Sequence, residues 1–124
     1  MINTLHLLIL LALNTSNTTT VSWYGERFNG RQTSSGEVYN MNNYTCASAT
    51  LPFGTRVLIT NPSNNKSVIV RVNDRGPFAM NQAGEPIKPL RPHPKRLFDL
   101  SKAAFKSISN TSSGAIAVNF VVIK

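Results

Sequence analysis

Alternation of apolar and polar residues is clearest in the middle of the chain, where it predicts a β-strand. In the segment SVIVRVND, Val68, Val70 and Val72 occupy every other position. A period of two places these valines on one face of a strand. Because Asp74 continues the alternation, we expect its carboxylate at the edge of the apolar core. Partial loss of solvent there would favour the protonated form of this acid, which can donate a proton.

The residues after Asp74 end this strand at a charged corner. Arg75 would favour the ionised carboxylate if the two side chains met. Adjacent strand residues point to opposite faces, however, so we expect its influence to be weak. Gly76 frees the backbone and Pro77 removes a hydrogen-bond donor, and both changes end a strand. The sequence therefore predicts Asp74 at a strand end beside a turn.

Further segments complete the predicted sheet. The sequence NPSNN at residues 61–65 is typical of a turn, and it predicts a hairpin between the valine strand and a strand at residues 57–60. Residues 18–24 are rich in β-branched and aromatic side chains and predict the first strand. Residues 43–50 enter the sheet, and residues 115–123 predict its last strand.

A helix and a long loop are predicted before the last strand. Residues 97–108 indicate a helix, because apolar side chains recur at helical spacing in its second half. Either Asp99 or Ser101 can cap it. Residues 79–96 contain several prolines and no periodicity, so we expect a long surface loop with extended backbone. Its basic residues either line a groove or form a solvated face, and they are Lys88, Arg91, Lys95 and Arg96.

The chain begins with an apolar run, LHLLILLAL at residues 5–13, followed by the polar sequence NTSNTTT. The run is too short to span a bilayer and has the length of the apolar region of a signal peptide. We therefore expect residues 1–17 to be a signal peptide and residues 18–124 to form one domain. An uncleaved N-terminal anchor and a helix packed on the domain are the alternatives.

The composition adds an argument from charge. The 124 residues carry a net charge of +8 with a pI near 10.3, which favours an anionic partner. Nucleic acid is disfavoured, because no nucleic-acid motif is present and aromatic residues make up only 8%. An anionic polymer of the cell envelope fits better. The single cysteine, Cys46, excludes an internal disulfide and is expected to be a small buried residue.

Four blocks of the sequence together resemble one known family. They read SWYGERFNGRQTSSGEVYNM at residues 22–41, TLPFGTRVLITN at 50–61, SVIVRVNDRGPF at 67–78 and FDLSKAAF at 98–105. In these blocks the chain is similar to the catalytic domain of the rare lipoprotein A family of bacterial septal-ring lytic transglycosylases. The resemblance implies a mainly β fold, a six-stranded double-psi β-barrel with one or two short helices, which expansins and family 45 endoglucanases share.

The resemblance also implies roles for individual residues. Asp74 matches the family's aspartate in the sequence DRGP and is the implied catalytic acid and base. Glu37 stands in a loop-like segment where the family places a functional glutamate, and it would either stabilise the positive charge of the sugar ring or orient Asp74 across the cleft. Ser48 stands where the family often has a histidine, so we expect weaker activity than a histidine would give. Asp99 lies in a block that resembles an expansin motif, and it is therefore a second catalytic acid, the cap of the helix, or both.

Substrate contact is expected from residues close to these acids. Trp23 and Tyr24 can each stack on a sugar ring, but only one can face a groove because strand side chains alternate. Ser48 and Arg75 are the other predicted substrate-binding residues.

The implied reaction needs few groups. A lytic transglycosylase uses one acid to protonate the glycosidic oxygen between N-acetylmuramic acid and N-acetylglucosamine, and the conjugate base then takes the proton of the C6 hydroxyl. That hydroxyl attacks within the same muramoyl sugar, which leaves a 1,6-anhydromuramoyl end and consumes no water. We expect neither a cofactor nor a metal ion to take part.

Two other function classes stay open. A non-catalytic, expansin-like barrel would hold peptidoglycan or another polysaccharide without cutting it. A plant-defence type of barrel acting on chitin or RNA has the same architecture, but such proteins are rich in disulfides and this chain has one cysteine. The enzyme interpretation predicts an exported monomer of the periplasm, the extracellular space or the cell envelope. Its partner would be peptidoglycan glycan strands, with no nucleic acid and no stable membrane span.

Overall fold

The computed structural model describes residues 17–124, which form six β-strands and one α-helix. All but the last residue of the predicted signal peptide, residues 1–17, lie outside the described residues, so this assignment stays a prediction. The elements are β1 Thr18–Trp23, β2 Thr45–Ser48, β3 Arg56–Asn61, β4 Lys66–Asp74, β5 Arg96–Leu100, α1 Lys102–Ile108 and β6 Ile116–Val122. Short 3-10 helices occur at Glu26–Phe28 and Thr111–Ser113.

The six strands close into a barrel. Their order around it is β1, β5, β2, β4, β3 and β6, and β6 pairs again with β1. The β1–β5 and β2–β4 pairs are parallel, and the remaining pairs are antiparallel. The prediction of a mainly β, six-stranded barrel is confirmed. Because β2 lies between β5 and β4, segments that are distant in the sequence meet along it.

The core of the barrel forms from alternating side chains, as predicted. The three valines of β4 are buried, and they pack with Val57 and Ile59 of β3. The turn at residues 61–65 joins these two strands in the predicted hairpin, with Leu58 opposite Ile69. Full burial of each such side chain contributes about 1.5–3 kcal/mol relative to exposure.

Helix α1 packs on the barrel through β4 and β1. Its residues Ala104, Phe105 and Ile108 are buried, as the helical spacing predicted. Asn61 ties the end of the helix to the hairpin, because its Nδ2 atom donates a hydrogen bond to the Ile108 carbonyl at 2.8 Å. Within residues 17–124, no helix is long and apolar enough to cross a membrane.

The prediction that residues 97–101 begin the helix is wrong, because this segment is a strand. Phe98 and Leu100 are buried, whereas Asp99 between them is partly exposed, which is a period of two. Strand β5 lies between β1 and β2 and pairs with both. These two ladders outweigh the helical pattern of the residues that follow.

Ser101 caps α1, and the alternative that Asp99 caps it is wrong. The Ser101 hydroxyl accepts hydrogen bonds from the N–H groups of Ala104 at 3.3 Å and Thr45 at 3.4 Å. It donates to the Asn43 carbonyl at 2.5 Å. The side chain of Ser101 is fully buried, so it stabilises the helix start and its junction with β2 together.

A β-bulge in the β2–β4 pairing takes Asp74 out of the expected alternation. Cys46 pairs with Val72, but Ala47 pairs with Asp74 rather than with Asn73. Asn73 is therefore the extra residue of the bulge. The expectation that Asp74 continues the valine face is wrong, and its register is that of Ala47.

Cys46 is buried at 1% exposure, as predicted. Burial raises the pKa of its thiol to about 12. A thiol that stays protonated is a poor nucleophile, so Cys46 is a packing residue.

The connection at residues 79–96 is irregular, as predicted. Outside the named strands it forms only single bridges, Phe78 with Pro92 and Met80 with Pro86. The basic side chains Lys88, Arg91 and Lys95 are exposed. Arg96 differs because it begins β5 and forms an ion pair with Asp99.

We expect Ser101→Ala to lower the free energy of unfolding by about 1–3 kcal/mol, because it removes the cap and leaves buried backbone groups unpaired. Chemical denaturation, monitored by circular dichroism, measures the change in the free energy of unfolding. Ser107→Ala in the same helix is the matched control, since this hydroxyl only donates to the Ala104 carbonyl from a partly buried position. We expect it to change stability by less than about 0.5 kcal/mol. Equal losses in the two variants would contradict the assignment of the cap.

Candidate active site

Two carboxylates lie on either side of Ala47. This residue of β2 pairs with Asp74 of β4 and with Asp99 of β5. Neighbouring strands are about 4.8 Å apart, so the backbones of the two aspartates are roughly 10 Å apart across β2. Residues in register project to the same face of a sheet. The structure therefore brings together two of the predicted catalytic residues.

Three donors hold the carboxylate of Asp74. Its Oδ1 atom accepts hydrogen bonds from the backbone N–H groups of Ser34 and Arg75, both at 2.9 Å. Its Oδ2 atom accepts one from the Tyr24 hydroxyl, also at 2.9 Å. Each carboxylate oxygen has two lone pairs, so these donors use both pairs of Oδ1 and one of Oδ2. Within residues 17–124 no donor contacts the second lone pair of Oδ2, which is therefore the position left for a proton.

The end of β1 supplies a hydroxyl to each aspartate. The Ser22 hydroxyl donates to Oδ1 of Asp99, and the Tyr24 hydroxyl donates to Asp74. Ser22 and Tyr24 are two residues apart, so extended backbone directs them to the same side. One strand end thus orients both acids.

Trp23 lies on the opposite side of β1 from these hydroxyls. Its ring packs near Phe105 of α1, with centroids 6.4 Å apart, and its Nε1 atom donates to the Thr111 carbonyl at 3.2 Å. Of the two aromatic residues predicted as alternatives for the groove, Tyr24 is the one beside the acids.

Two aromatic rings fix the ring of Tyr24. It stacks on Tyr39 with centroids 4.9 Å apart, and it meets Phe28 edge-on at 6.1 Å. Burial, together with the neighbouring carboxylate of Asp74, raises the pKa of Tyr24 far above its ordinary value. The hydroxyl therefore stays protonated and acts as a hydrogen-bond donor.

Asp99 has different partners from Asp74. Its Oδ1 atom lies 3.3 Å from Nε of Arg96 and accepts the hydrogen bond of Ser22. Within the described part of the chain, no lysine or arginine side chain forms such an ion pair with Asp74. This difference favours Asp74 as the acid that exchanges a proton.

Glu37 is joined to Arg71 by a two-fold ion pair. The Nη1 atom of Arg71 donates to Oε2 of Glu37 at 2.6 Å, and Nη2 donates to Oε1 at 2.8 Å. Asn73 adds a longer bond from Nδ2 at 3.4 Å. The hydrogen bonds from Arg71 lower the pKa of Glu37 below its usual value, so this group is a carboxylate at neutral pH.

The contacts of Glu37 fix a loop against Asp74. The same loop is tied to β4 by the Ser35 N–H, which donates to the Asn73 carbonyl at 3.3 Å. Ser34, next to it, supplies the N–H that binds Oδ1 of Asp74. By holding this loop, Glu37 therefore positions the Ser34 N–H that binds Asp74.

Ser48 is buried at 3% exposure and serves a turn. Its hydroxyl oxygen accepts hydrogen bonds from the N–H groups of Leu51 at 3.0 Å and Thr50 at 3.3 Å. It also lines an apolar cavity of about 290 Å³ together with residues that include Pro77 and Phe120. Its predicted contact with substrate stays a prediction.

Arg75 turns its guanidinium away from Asp74, as expected for adjacent residues. Its Nη1 atom donates to the carbonyls of Ser48 at 3.0 Å and Leu51 at 2.7 Å. The guanidinium also lies 4.0 Å from the centroid of the Phe53 ring. Arg75 thus ties the end of β4 to the β2–β3 connection, and its predicted role in substrate binding stays a prediction.

Sequence reasoning did not identify three residues that build this site, which are Ser22, Ser34 and Arg71. The period of two could have found Ser22, because it shares a side of the strand with Tyr24. The same period could have found Arg71 on the polar side of the valine strand. Ser34 acts through its backbone N–H, for which a sequence carries no signal.

The three acids at the site are each engaged by hydroxyl, N–H or guanidinium donors. Within residues 17–124, no group of three or more His, Cys, Asp and Glu side chains is arranged to hold a metal ion. What the arrangement offers chemically is proton exchange at Oδ2 of Asp74 beside two fixed carboxylates.

Comparison with known proteins identifies the family of the chain. A family model described as lytic transglycolase matches residues 16–120 of the chain. The chain belongs to this family. Among curated relatives, the endolytic peptidoglycan transglycosylase RlpA of Neisseria meningitidis (serogroup A) is 46% identical over 103 residues, and that of Campylobacter jejuni is 45% identical over 102 residues. The resemblance to the rare lipoprotein A family is confirmed.

These matches cover most of this chain but a smaller part of the relatives. They span 83% of this chain and 37% of the Neisseria protein, and 82% of this chain and 32% of the Campylobacter protein. The chain therefore spans about a third of the length of these relatives.

A solved structure shows the same fold. The apo form of the expansin of Clavibacter michiganensis has a TM-score of 0.58 at 16% identity, covering 87% of this chain and 50% of that chain. Together with the family, this likeness confirms the prediction of a double-psi β-barrel.

We expect Glu37→Gln to loosen the loop that carries Ser34. Glutamine cannot form the two-fold ion pair with Arg71, so the amide protons of Ser34 and Ser35 should exchange with solvent faster. Amide hydrogen exchange at neutral pH measures this. Because the pKa of Glu37 is lowered in the folded state, the wild type should loosen in the same way only as the pH falls through that lowered value.

Glu85→Gln is the matched control for this variant, because Glu85 is exposed in the loop at residues 79–96. It should leave the exchange at residues 34 and 35 unchanged. Equal exchange rates in the wild type and Glu37→Gln would show that the ion pair does not hold the loop.

Proposed function

We propose that this chain is the catalytic domain of a peptidoglycan lytic transglycosylase. It would cleave glycan strands between N-acetylmuramic acid and N-acetylglucosamine and leave 1,6-anhydromuramoyl ends. The observation that carries the proposal is the set of hydrogen bonds at Asp74: three donors of the described residues hold its carboxylate and leave one lone pair of Oδ2 for a proton. The names of the curated relatives, endolytic peptidoglycan transglycosylases, support the same class of substrate.

In this proposal Asp74 acts first as an acid and then as a base. Protonated on Oδ2, it gives its proton to the glycosidic oxygen while the bond from that oxygen to C1 of the muramoyl sugar breaks. The carboxylate then takes the proton of the C6 hydroxyl as O6 bonds to C1. Asp74 is protonated again at the end, and no water is consumed.

Asp99 and Glu37 have supporting roles in the same scheme. Asp99 lies on the same face of the sheet as Asp74, roughly 10 Å away across β2 by backbone spacing. A fixed carboxylate there stabilises the positive charge that develops on the sugar ring in the transition state. Glu37 holds the loop that orients Asp74.

The charge of the chain and the proposed substrate indicate its partner and its location. A net charge of +8 favours association with an anionic polymer of the envelope rather than repulsion from it. Peptidoglycan lies outside the cytoplasm, so we propose an exported monomer of the periplasm, cell envelope or extracellular space. We also propose that nucleic acid is not a partner.

Two specific observations define the competing functions. Asp74 and Asp99 lie on either side of Ala47, with backbones roughly 10 Å apart, and two carboxyl groups that face each other across a water, about 6.5–9.5 Å apart, hydrolyse a glycosidic bond. The buried Ser48, where the family often has histidine, is the feature that favours glycan binding without cleavage. The products distinguish all three functions.

We expect Asp74→Asn to abolish release of anhydro-ended fragments from purified peptide-free glycan strands, with little change in melting temperature. The amide can keep its oxygen towards the two N–H groups and its NH₂ group towards the Tyr24 hydroxyl, but it cannot donate and recover a proton. Mass spectrometry of the products measures the effect.

Asp99→Asn is the matched control, because it makes the same chemical change at the other acid of the pair. It should slow the reaction without abolishing it. Full activity of Asp74→Asn would reject Asp74 as the acid. Reducing ends in place of anhydro ends in the wild type would indicate hydrolysis, and binding without products would indicate an expansin-like barrel.

A further inference from the structure

We propose that Tyr24 is a positioning residue that selects Oδ2 of Asp74 as the oxygen exchanging the proton, an inference that rests on the proposed function. The backbone N–H groups of Ser34 and Arg75 both point at Oδ1, and they use its two lone pairs. The Tyr24 hydroxyl donates to Oδ2 and uses one of its lone pairs. Since the described residues supply no donor to the other lone pair of Oδ2, a proton on the carboxyl group takes that place, and Tyr24 sets its direction.

The hydroxyl of Tyr24 is held in place before any substrate binds. Its ring is stacked on Tyr39 and meets Phe28 edge-on. Its backbone N–H donates to the Leu100 carbonyl at 3.0 Å, which fixes the end of β1 against β5. The Tyr39 hydroxyl in turn accepts from the N–H of Lys102, the first residue of α1, at 3.2 Å. The donor therefore needs no reorganisation during the reaction.

The effect of Tyr24 is largest when Oδ2 carries charge. In the first step Oδ2 loses its proton to the glycosidic oxygen as the C1–O bond breaks, and the Tyr24 hydroxyl donates to the carboxylate that is left. In the second step Oδ2 takes the proton of the C6 hydroxyl as O6 bonds to C1. Tyr24 keeps its own proton throughout, because burial and Asp74 raise its pKa far above neutrality. It acts on the reaction through Asp74 and does not exchange a proton itself.

The test is the pH profile of anhydro-end release by Tyr24→Phe, a change that keeps the ring and removes the hydroxyl. The rate should fall about tenfold to a hundredfold, the scale of one hydrogen bond to a charged group. The side of the profile on which activity falls as Asp74 loses its proton should move to higher pH, because the ionised acid has lost a donor. Affinity for peptide-free glycan, measured by calorimetry on a background of Asp74→Asn, should not change.

Tyr44→Phe is the matched control, since it removes the same hydroxyl from a tyrosine that is 53% exposed. Its rate and pH profile should equal those of the wild type, and melting temperatures should show that both variants are folded. A Tyr24→Phe variant with the wild-type rate and profile would overturn this role. A slower variant with an unmoved profile and weaker glycan affinity would also overturn it and would assign Tyr24 to substrate binding. A wild type that releases no anhydro ends would reject the proposed function and this role together.

Discussion

Ala47 of β2 is paired on one side with Asp99 and on the other, across a β-bulge, with Asp74. The rest of the candidate site depends on this register. If Asn73 paired with Ala47 in a regular ladder, Asp74 would pair with Ser48, one position further along β2. A shift of one residue turns a side chain to the other face of a sheet. The ladders of a closed barrel hold this register, so the positions of both acids are determined by the backbone.

Hydrogen-bonding partners give the three carboxylates different chemistry at one site. Asp74 is held by two N–H groups and a phenol, Asp99 lies beside Arg96, and Glu37 is paired with Arg71. Different surroundings can give chemically equivalent carboxyl groups different roles. The proposed reaction needs such a difference, because one acid exchanges a proton while the carboxylates beside it stay charged. The loop that carries Ser34 and the end of β1 supply the donors that orient Asp74.

The extent to which the sequence predicted this fold depends on the range of the interactions. The β3–β4 hairpin and the buried valines were predictable because they follow from local alternation and turn composition. Strand β5 was not, because its neighbours β1 and β2 come from distant segments and override a helical pattern. The bulge at Asn73 carries no local signal either. At the site, motif resemblance predicted roles for Asp74, Glu37 and Asp99, whereas their partners Ser22 and Arg71 depend on tertiary contacts.

The most direct test of this account is the crystal structure of the Asp74→Asn variant with a bound peptide-free glycan oligosaccharide. The account predicts that the chain crosses β2 between positions 74 and 99. The scissile glycosidic oxygen should lie within about 3.2 Å of the side-chain atom at position 74 that faces the Tyr24 hydroxyl. An oligosaccharide bound along the basic loop at residues 79–96, or with that oxygen nearest to Asp99, would contradict it.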